Sequence, residues 1–345
     1  MKLKPSSLSM LSLSLCLGVS APVLAQQAED APEAQQASPT PEAQQTSPTP
    51  EAQQTSARPE APPAPVPLAS LAPIPGLRLY LSSFTLARHN PLGLESQARL
   101  VLQKRMYERE SLLMRDNFVS GALSVKVNPA SLKVGPLVEL QPVAMLNIRA
   151  GYEFVSYLGT MGFLQSFPGS VADHSDDTRD LNEAAAYSTS GHHFLVEPTV
   201  QAKVKNFVLR SKLGVEYWNV DLREGGARAT FYDAMLDTLV PGKGWVFTND
   251  TDLLMLATPR LTVGARFSAV FPRYEGGEGV TQGDNSHMRV GPMAAYALST
   301  DEGTLFNKPT VVVITGWYLK HQSRQEAMPY LLAGFGFTSD LLGGR

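Results

Sequence analysis

The stretch Phe194-Leu195-Val196-Glu197-Pro198-Thr199-Val200-Gln201-Ala202-Lys203-Val204 breaks at Lys205-Asn206 and resumes as Phe207-Val208-Leu209-Arg210-Ser211-Lys212-Leu213-Gly214-Val215-Glu216-Tyr217. Phe194, Val196, Pro198, Val200, Ala202 and Val204 share one parity before the break, and Phe207, Leu209, Leu213, Val215 and Tyr217 share one after it. The opposite parity holds His193, Glu197, Thr199, Gln201, Lys203, Arg210, Lys212 and Glu216, with Leu195 and Val208 as apolar exceptions. Successive side chains of a strand point to opposite faces, so the stretch is a hairpin with one oily and one charged face. Each arm of about 12 residues exceeds the globular norm of about 5 to 6 and reaches the about 9 to 11 that a tilted strand needs to cross a bilayer.

Working outward, the chain begins Met1-Lys2-Leu3-Lys4, continues through a mainly apolar run from Leu8 to Val23, and reaches Ala25 two residues after Val23. This is the pattern of a secretory signal peptide, residues 1–25, with cleavage after Ala25. Cys16, the single cysteine, falls inside it, so the exported chain is expected to carry no thiol or disulfide. A net charge of −3 offers no basic excess for nucleic acid. No apolar run after the signal approaches the roughly 18 residues of a membrane helix, and only helices and closed barrels satisfy their backbone in lipid. A membrane location therefore requires a barrel.

Residues 26–76 form a spacer in which Pro-Glu-Ala-Gln-Gln recurs at Pro32, Pro41 and Pro50, before Pro59-Glu60. Such a segment has nothing to bury and is expected to be extended and disordered, with a reach on the order of 150 Å at about 3.1 Å per residue. It could contact peptidoglycan or another periplasmic partner.

From residue 77 to 345 the sequence reads as one all-β domain. Strands are expected near 77–87, 97–107, 117–127, 132–141, 143–157, 193–205, 207–220, 245–256, 260–271, 287–299, 309–321 and 328–338, which makes twelve. Connections after residue 157 alternate short and long, with 158–192, 221–244 and 272–286 as the long ones. Short periplasmic turns and long external loops produce that alternation. In the first half, Asn128-Pro129-Ala130-Ser131 and Gln141-Pro142 both read as tight turns that one side of the ladder cannot hold together, leaving ten strands as the alternative.

The signal peptide, the period of two and the Phe335-Gly336-Phe337 end of the last strand resemble bacterial outer-membrane β-barrels as a class, over residues 77–338. The chain departs from that pattern in continuing from Thr338 to Arg345 past the terminal aromatic. The resemblance implies a single transmembrane antiparallel up-and-down barrel in outer-membrane lipid, with an even strand number and the spacer in the periplasm. Tyr217, Trp218, Trp245, Phe271 and Tyr274 at strand ends would supply interfacial aromatics.

Carrying the hairpin's parity around the chain assigns Arg78, Arg99, Arg105, Lys126, Lys133, Arg149, Lys203, Lys205, Arg210, Lys212, Arg260, Arg266, Arg289 and Lys320 to the polar face. Only Glu139, Glu153, Glu197, Glu216, Asp250 and Asp252 oppose them there. A lumen of one dominant sign between low-dielectric walls concentrates counter-ions, here small anionic solutes. Lys203, Arg210, Lys212, Arg266 and Arg289 are the candidate lining, with Asp250 and Asp252 as countercharges at the constriction. At the level of strand number and basic lining this resembles the narrow porins for acidic sugars. The alternative is that these charges pair into a closed structural or adhesive barrel whose external loops bind a partner.

Catalysis is not expected. Asp173-His174-Ser175-Asp176-Asp177 resembles the acidic pairs of omptin proteases, but those pairs come from opposite barrel rims and these residues share one loop. The histidine-then-serine spacing of outer-membrane phospholipases is absent at His174, His193 and His287. No cofactor motif is present. The acidic loop lacks the spacing of a calcium loop, so no metal site is assigned.

Overall fold

The computed structural model describes residues 76–109, 111–223, 226–276, 281–301 and 305–342. The expected signal peptide and the nine-residue repeat lie outside them. Fifteen strands follow in chain order: β1 (Leu77–His89), β2 (Gly93–Lys104), β3 (Phe118–Asn128), β4 (Ser131–Val143), β5 (Leu146–Leu158), β6 (Ser166–Phe167), β7 (Ser188–Val204), β8 (Phe207–Val220), β9 (Thr230–Asp233), β10 (Thr238–Pro241), β11 (Lys243–Leu256), β12 (Leu261–Arg273), β13 (His287–Ala297), β14 (Asn307–Lys320) and β15 (Pro329–Asp340). Twelve of them close a barrel in the order β1-β15-β14-β13-β12-β11-β8-β7-β5-β4-β3-β2, and β6, β9 and β10 form a separate three-stranded sheet. Every ladder of the barrel is antiparallel, and the closing one runs from Tyr80 opposite Asp340 to His89 opposite Leu331. All twelve segments expected from the sequence are barrel strands, displaced at their ends by a few residues.

Of the two tight turns that pulled against each other, the structure has the first where it was expected and not the second. Pro129-Ala130 joins β3 to β4, whereas β4 continues through Gln141-Pro142, with a register shift against β5 between Leu140 and Val143, and turns only at Ala144-Met145. Moving the second turn by a few residues restores the ladder and removes the ten-strand alternative. The turns at 144–145, 205–206 and 257–260 share one end with Leu77 and Asp340, which we term the turn end. Connections 159–187, 221–242 and 274–286 share the other, the loop end. The alternation of lengths is imperfect in the first half. Asn90-Pro91-Leu92 makes a tight connection at the loop end, and 105–117, with its short helix α1 (Leu112–Arg115), a longer one at the turn end.

The oily parity faces outward. Val196, Val200, Phe207, Leu209, Leu213 and Leu253 remain between 43% and 56% exposed on the outer wall. The two exceptions on the charged parity, Leu195 and Val208, are 7% and 3% exposed inside it. A barrel stable in water would invert this arrangement; an apolar outer wall is stable only against lipid. Leu213→Arg, at the middle of β8 on that wall, is expected to cost about 2–4 kcal/mol in refolding titrations into vesicles. A change near zero would place that wall in water.

Candidate functional site: the barrel lumen and its inserted loop

Connection 221–242 does not stay outside the barrel. Its β9–β10 hairpin turns at Asp233–Asp237, and inward-facing residues of five strands hold the tip. Arg88 of β1 donates from Nη1 to Met235 O at 2.9 Å, and His287 of β13 places Nε2 2.7 Å from Leu236 O. Lys133 of β4 and Tyr157 of β5 reach Asp233 Oδ2 at 3.5 and 3.3 Å, and Tyr318 of β14 donates to Asp237 Oδ2 at 2.5 Å. Contacts from strands so widely spaced around the ring put the tip across the opening.

Apolar packing backs the polar pins. Phe231 and Val240 from the hairpin are fully buried among Val155, Tyr157, Trp218, Val220, Val246 and Val270, which all face inward from the barrel wall. Tyr232 and Leu239 bury the hairpin's other face with Phe167 of β6. Trp218, expected among interfacial aromatics, is thus a core residue, 1% exposed and stacked on His193 with ring centroids 4.0 Å apart. Tyr217 and Trp245 do face outward. Tyr274 donates its hydroxyl to Leu239 O of the hairpin at 2.7 Å and is likewise a plug contact.

The two acids at the tip are the centre of the latch. Asp237, fully buried, accepts from Tyr232 Oη at 2.6 Å, from Arg324 Nε and Nη2 at 2.8 and 2.9 Å, and lies 3.3 Å from His321 Nε2. Burial alone would raise its pKa, but the hydrogen bonds and charges of His321 and Arg324 prevail and hold it well below the usual carboxylate range. Asp233 is held down the same way, burial being outweighed by the Lys133 ammonium and the N–H groups of Leu236 and Met235.

Below the plug, most of the predicted lining residues are brought together. Asp252, 1% exposed, accepts from Arg210 Nη2 and Arg266 Nε, each at 2.6 Å. Lys212 lies 3.5 Å from Asp250 and 3.3 Å from Glu197, and Arg149 bridges Glu197 at 3.3 Å and Glu139 at 3.4 Å. This ion network runs across β4, β5, β7, β8, β11 and β12. Lys203 stands apart from it, next to the β7–β8 turn at the far end of β7 from the plug. Nearer the plug, Glu153 joins Lys126 at 2.7 Å and His193 at 3.0 Å, and His193 reaches Glu216 at 3.1 Å.

The strands outside this network differ. Arg289 of β13 lies over the Tyr330 ring, 4.2 Å from its centroid, and Arg99 of β2 donates to Gln97 Oε1 at 2.9 Å. Among the described residues neither guanidinium meets a carboxylate, and each keeps one nitrogen, Nε of Arg99 and Nη1 of Arg289, without a hydrogen-bond partner. The lumen is therefore two-sided: compensated from β4 to β12, cationic where Arg99 and Arg289 stand. Its total excess is smaller than the sequence parity suggests. Glu95 and Asp340 also face inward, Asp233 and Asp237 enter with the loop, and Lys205 and Arg260 sit in turns.

The acidic segment 173–177 is used structurally. Asp173 accepts from Ser175 N at 2.9 Å and Thr178 Oγ1 at 2.5 Å at the start of helix α2 (Asp176–Leu181), and Asp176 reaches Arg324 at 3.2 Å.

No family model matches the sequence, and no curated protein matches it. Solved structures with similar folds include the NanC porin, 8% identical over 76% of this chain and 100% of that one, with a TM-score of 0.35. The β domain of the Bordetella autotransporter BrkA is 11% identical over 76% and 99%, with a TM-score of 0.41. The translocator domain of the autotransporter NalP from Neisseria meningitidis is 9% identical over 77% and 88%, with a TM-score of 0.37. Likenesses of this size bear on neither substrate nor mechanism. The closed antiparallel sheet, the apolar outer wall and the charged interior make the chain a twelve-stranded β-barrel built to sit in lipid.

Proposed function

We propose that the protein is a narrow outer-membrane channel for small anionic solutes, gated by the 221–242 hairpin. The observation that carries anion preference is the pair Arg99 and Arg289, lumen guanidiniums without a carboxylate partner among the described residues. Cationic side chains on a low-dielectric wall raise the local anion concentration, and charges already paired with one another elsewhere on the wall do not cancel that field at close range. Lys212, Arg210 and Arg266, with Asp250 and Asp252, narrow the path on β8, β11 and β12. The position of Leu77 at the turn end supports a spacer on the periplasmic side, within reach of peptidoglycan or a periplasmic protein.

Planar-bilayer recordings test this on the wild type and on a variant with a weakened latch, Asp237→Asn. In a salt gradient the reversal potential is expected to report anion preference, and the Arg99→Gln, Arg289→Gln double variant to lose most of it. Cation preference, or silence from both the wild type and the latch variant, refutes the channel. A sealed barrel that acts through its loops is the competing reading, and the buried core between plug and wall favours it. Silence of both proteins together with retained binding to a surface partner would establish it.

A further inference from the structure

The outer wall at the loop end carries an ordered aromatic row. Tyr152 stands opposite Phe194, Phe194 opposite Tyr217, and Tyr217 opposite Trp245, across β5, β7, β8 and β11. Their ring centroids are 5.1, 6.5 and 4.9 Å apart in that order. Such a row marks the depth at which hydrocarbon gives way to headgroups. The next residue in the row is Arg273 of β12, directly opposite Trp245. One step towards the loops, on the same face of β11, is Lys243.

Both cations are exposed, and among the described residues neither forms an ion pair; Arg273 only leans over the Phe247 ring at 6.0 Å. Lys243 and Arg228 line a groove of about 310 Å³ between segments 168–171, 227–229, 274–275 and 281–282, and Arg273 lines an adjoining one of about 300 Å³. Glu275 is the carboxylate of the first groove, and Asp284 in the second is taken by Lys320 at 2.5 Å. Three cations therefore converge where the belt ends, with a groove to receive a polar group and an apolar wall beneath for acyl chains.

We propose that Arg273, Lys243 and Arg228 form a headgroup site for a phosphorylated lipid of the leaflet at the loop end. A phosphate held there would be fixed by the cations while its chains lie along Trp245 and Phe247. Free inorganic phosphate offers the same charge but no apolar anchor, so a free anion would gain nothing from the aromatic row.

Native mass spectrometry of the detergent-solubilised full chain decides it, with bisphosphorylated lipid A, its dephosphorylated form and inorganic phosphate as probes. The wild type is expected to retain the bisphosphorylated lipid, and Lys243→Gln with Arg273→Gln to lose about tenfold or more in retention, since each interfacial cation contributes about 1 kcal/mol. Lys104→Gln, on the outer wall at the turn end, should change nothing. Heat-modifiable mobility on gels confirms that the variants close, and the single loop substitution Arg228→Gln should weaken retention without touching the barrel wall. Equal retention by the double variant, equal retention of the dephosphorylated lipid, or full competition by inorganic phosphate would each overturn the assignment.

Discussion

Asp237→Asn is expected to release the β9–β10 hairpin from the lumen. The substitution keeps the side chain's shape but removes the charge that Arg324 and His321 face, leaving the buried Arg324 guanidinium with only the largely exposed Asp176 as a carboxylate partner. Breaking one partner of a buried ion pair costs about 3–5 kcal/mol, which is a shift of about 100-fold or more in the opening equilibrium. Channel recordings should show longer or larger openings, and hydrogen exchange across residues 226–242 should speed up while the barrel ladders stay protected. Unchanged exchange in that segment would mean that the apolar core around Phe231 and Val240 alone holds the plug. The acid's depressed pKa also fixes a pH expectation. A carboxylate held below its unfolded value of about 3.9 contributes stability that is fully present above that value and is lost as pH falls through the folded one. Asp237's own contribution to protection of the hairpin should therefore be constant from neutral pH to about 5 and fall only in stronger acid.

The barrel was readable from the sequence because membrane strands are constrained on one whole face. Phe194 to Tyr217 must keep its apolar parity against lipid, so the phase survives both exceptions, and the structure shows why Leu195 and Val208 are tolerated: each is buried inside the wall. The plug was not readable by the same rule. Residues 230–233 and 238–241 are buried on both faces, which erases the period of two, and at four residues each they are too short to show a pattern. A signal was present nonetheless. Phe231-Tyr232 and Leu239-Val240 are dense apolar pairs inside a connection expected to be solvated, and the acids at its tip flank the turn of a hairpin. The lumen was half readable. Parity located Arg210, Lys212, Arg266, Asp250 and Asp252, but it could not show which cations would find acids. That depends on register across neighbouring strands, which places Asp252 directly opposite both Arg210 and Arg266.

That register makes Asp252→Ala the substitution with the largest expected effect on the lumen. Arg210 and Arg266 each donate two N–H groups to this one carboxylate, and no other acid among the described residues forms an ion pair with either. Without it two guanidiniums repel each other across neighbouring positions. Because both are about one-fifth exposed to the lumen, water takes up part of the deficit, and the cost should fall near the lower end of the about 3–5 kcal/mol for breaking a buried pair. The same change adds one net positive charge beside the path and frees two anion-binding forks that were occupied. Stability and selectivity should then move in opposite directions: a lower unfolding midpoint in denaturant and a reversal potential shifted towards stronger anion preference. Arg266→Gln, which leaves Arg210 paired with Asp252, should weaken anion preference instead. The opposed signs separate a charge effect on permeation from simple loosening of the wall, because loosening would push both variants the same way. If both substitutions shift selectivity alike, the Arg210–Asp252–Arg266 cluster holds the wall together without selecting what passes.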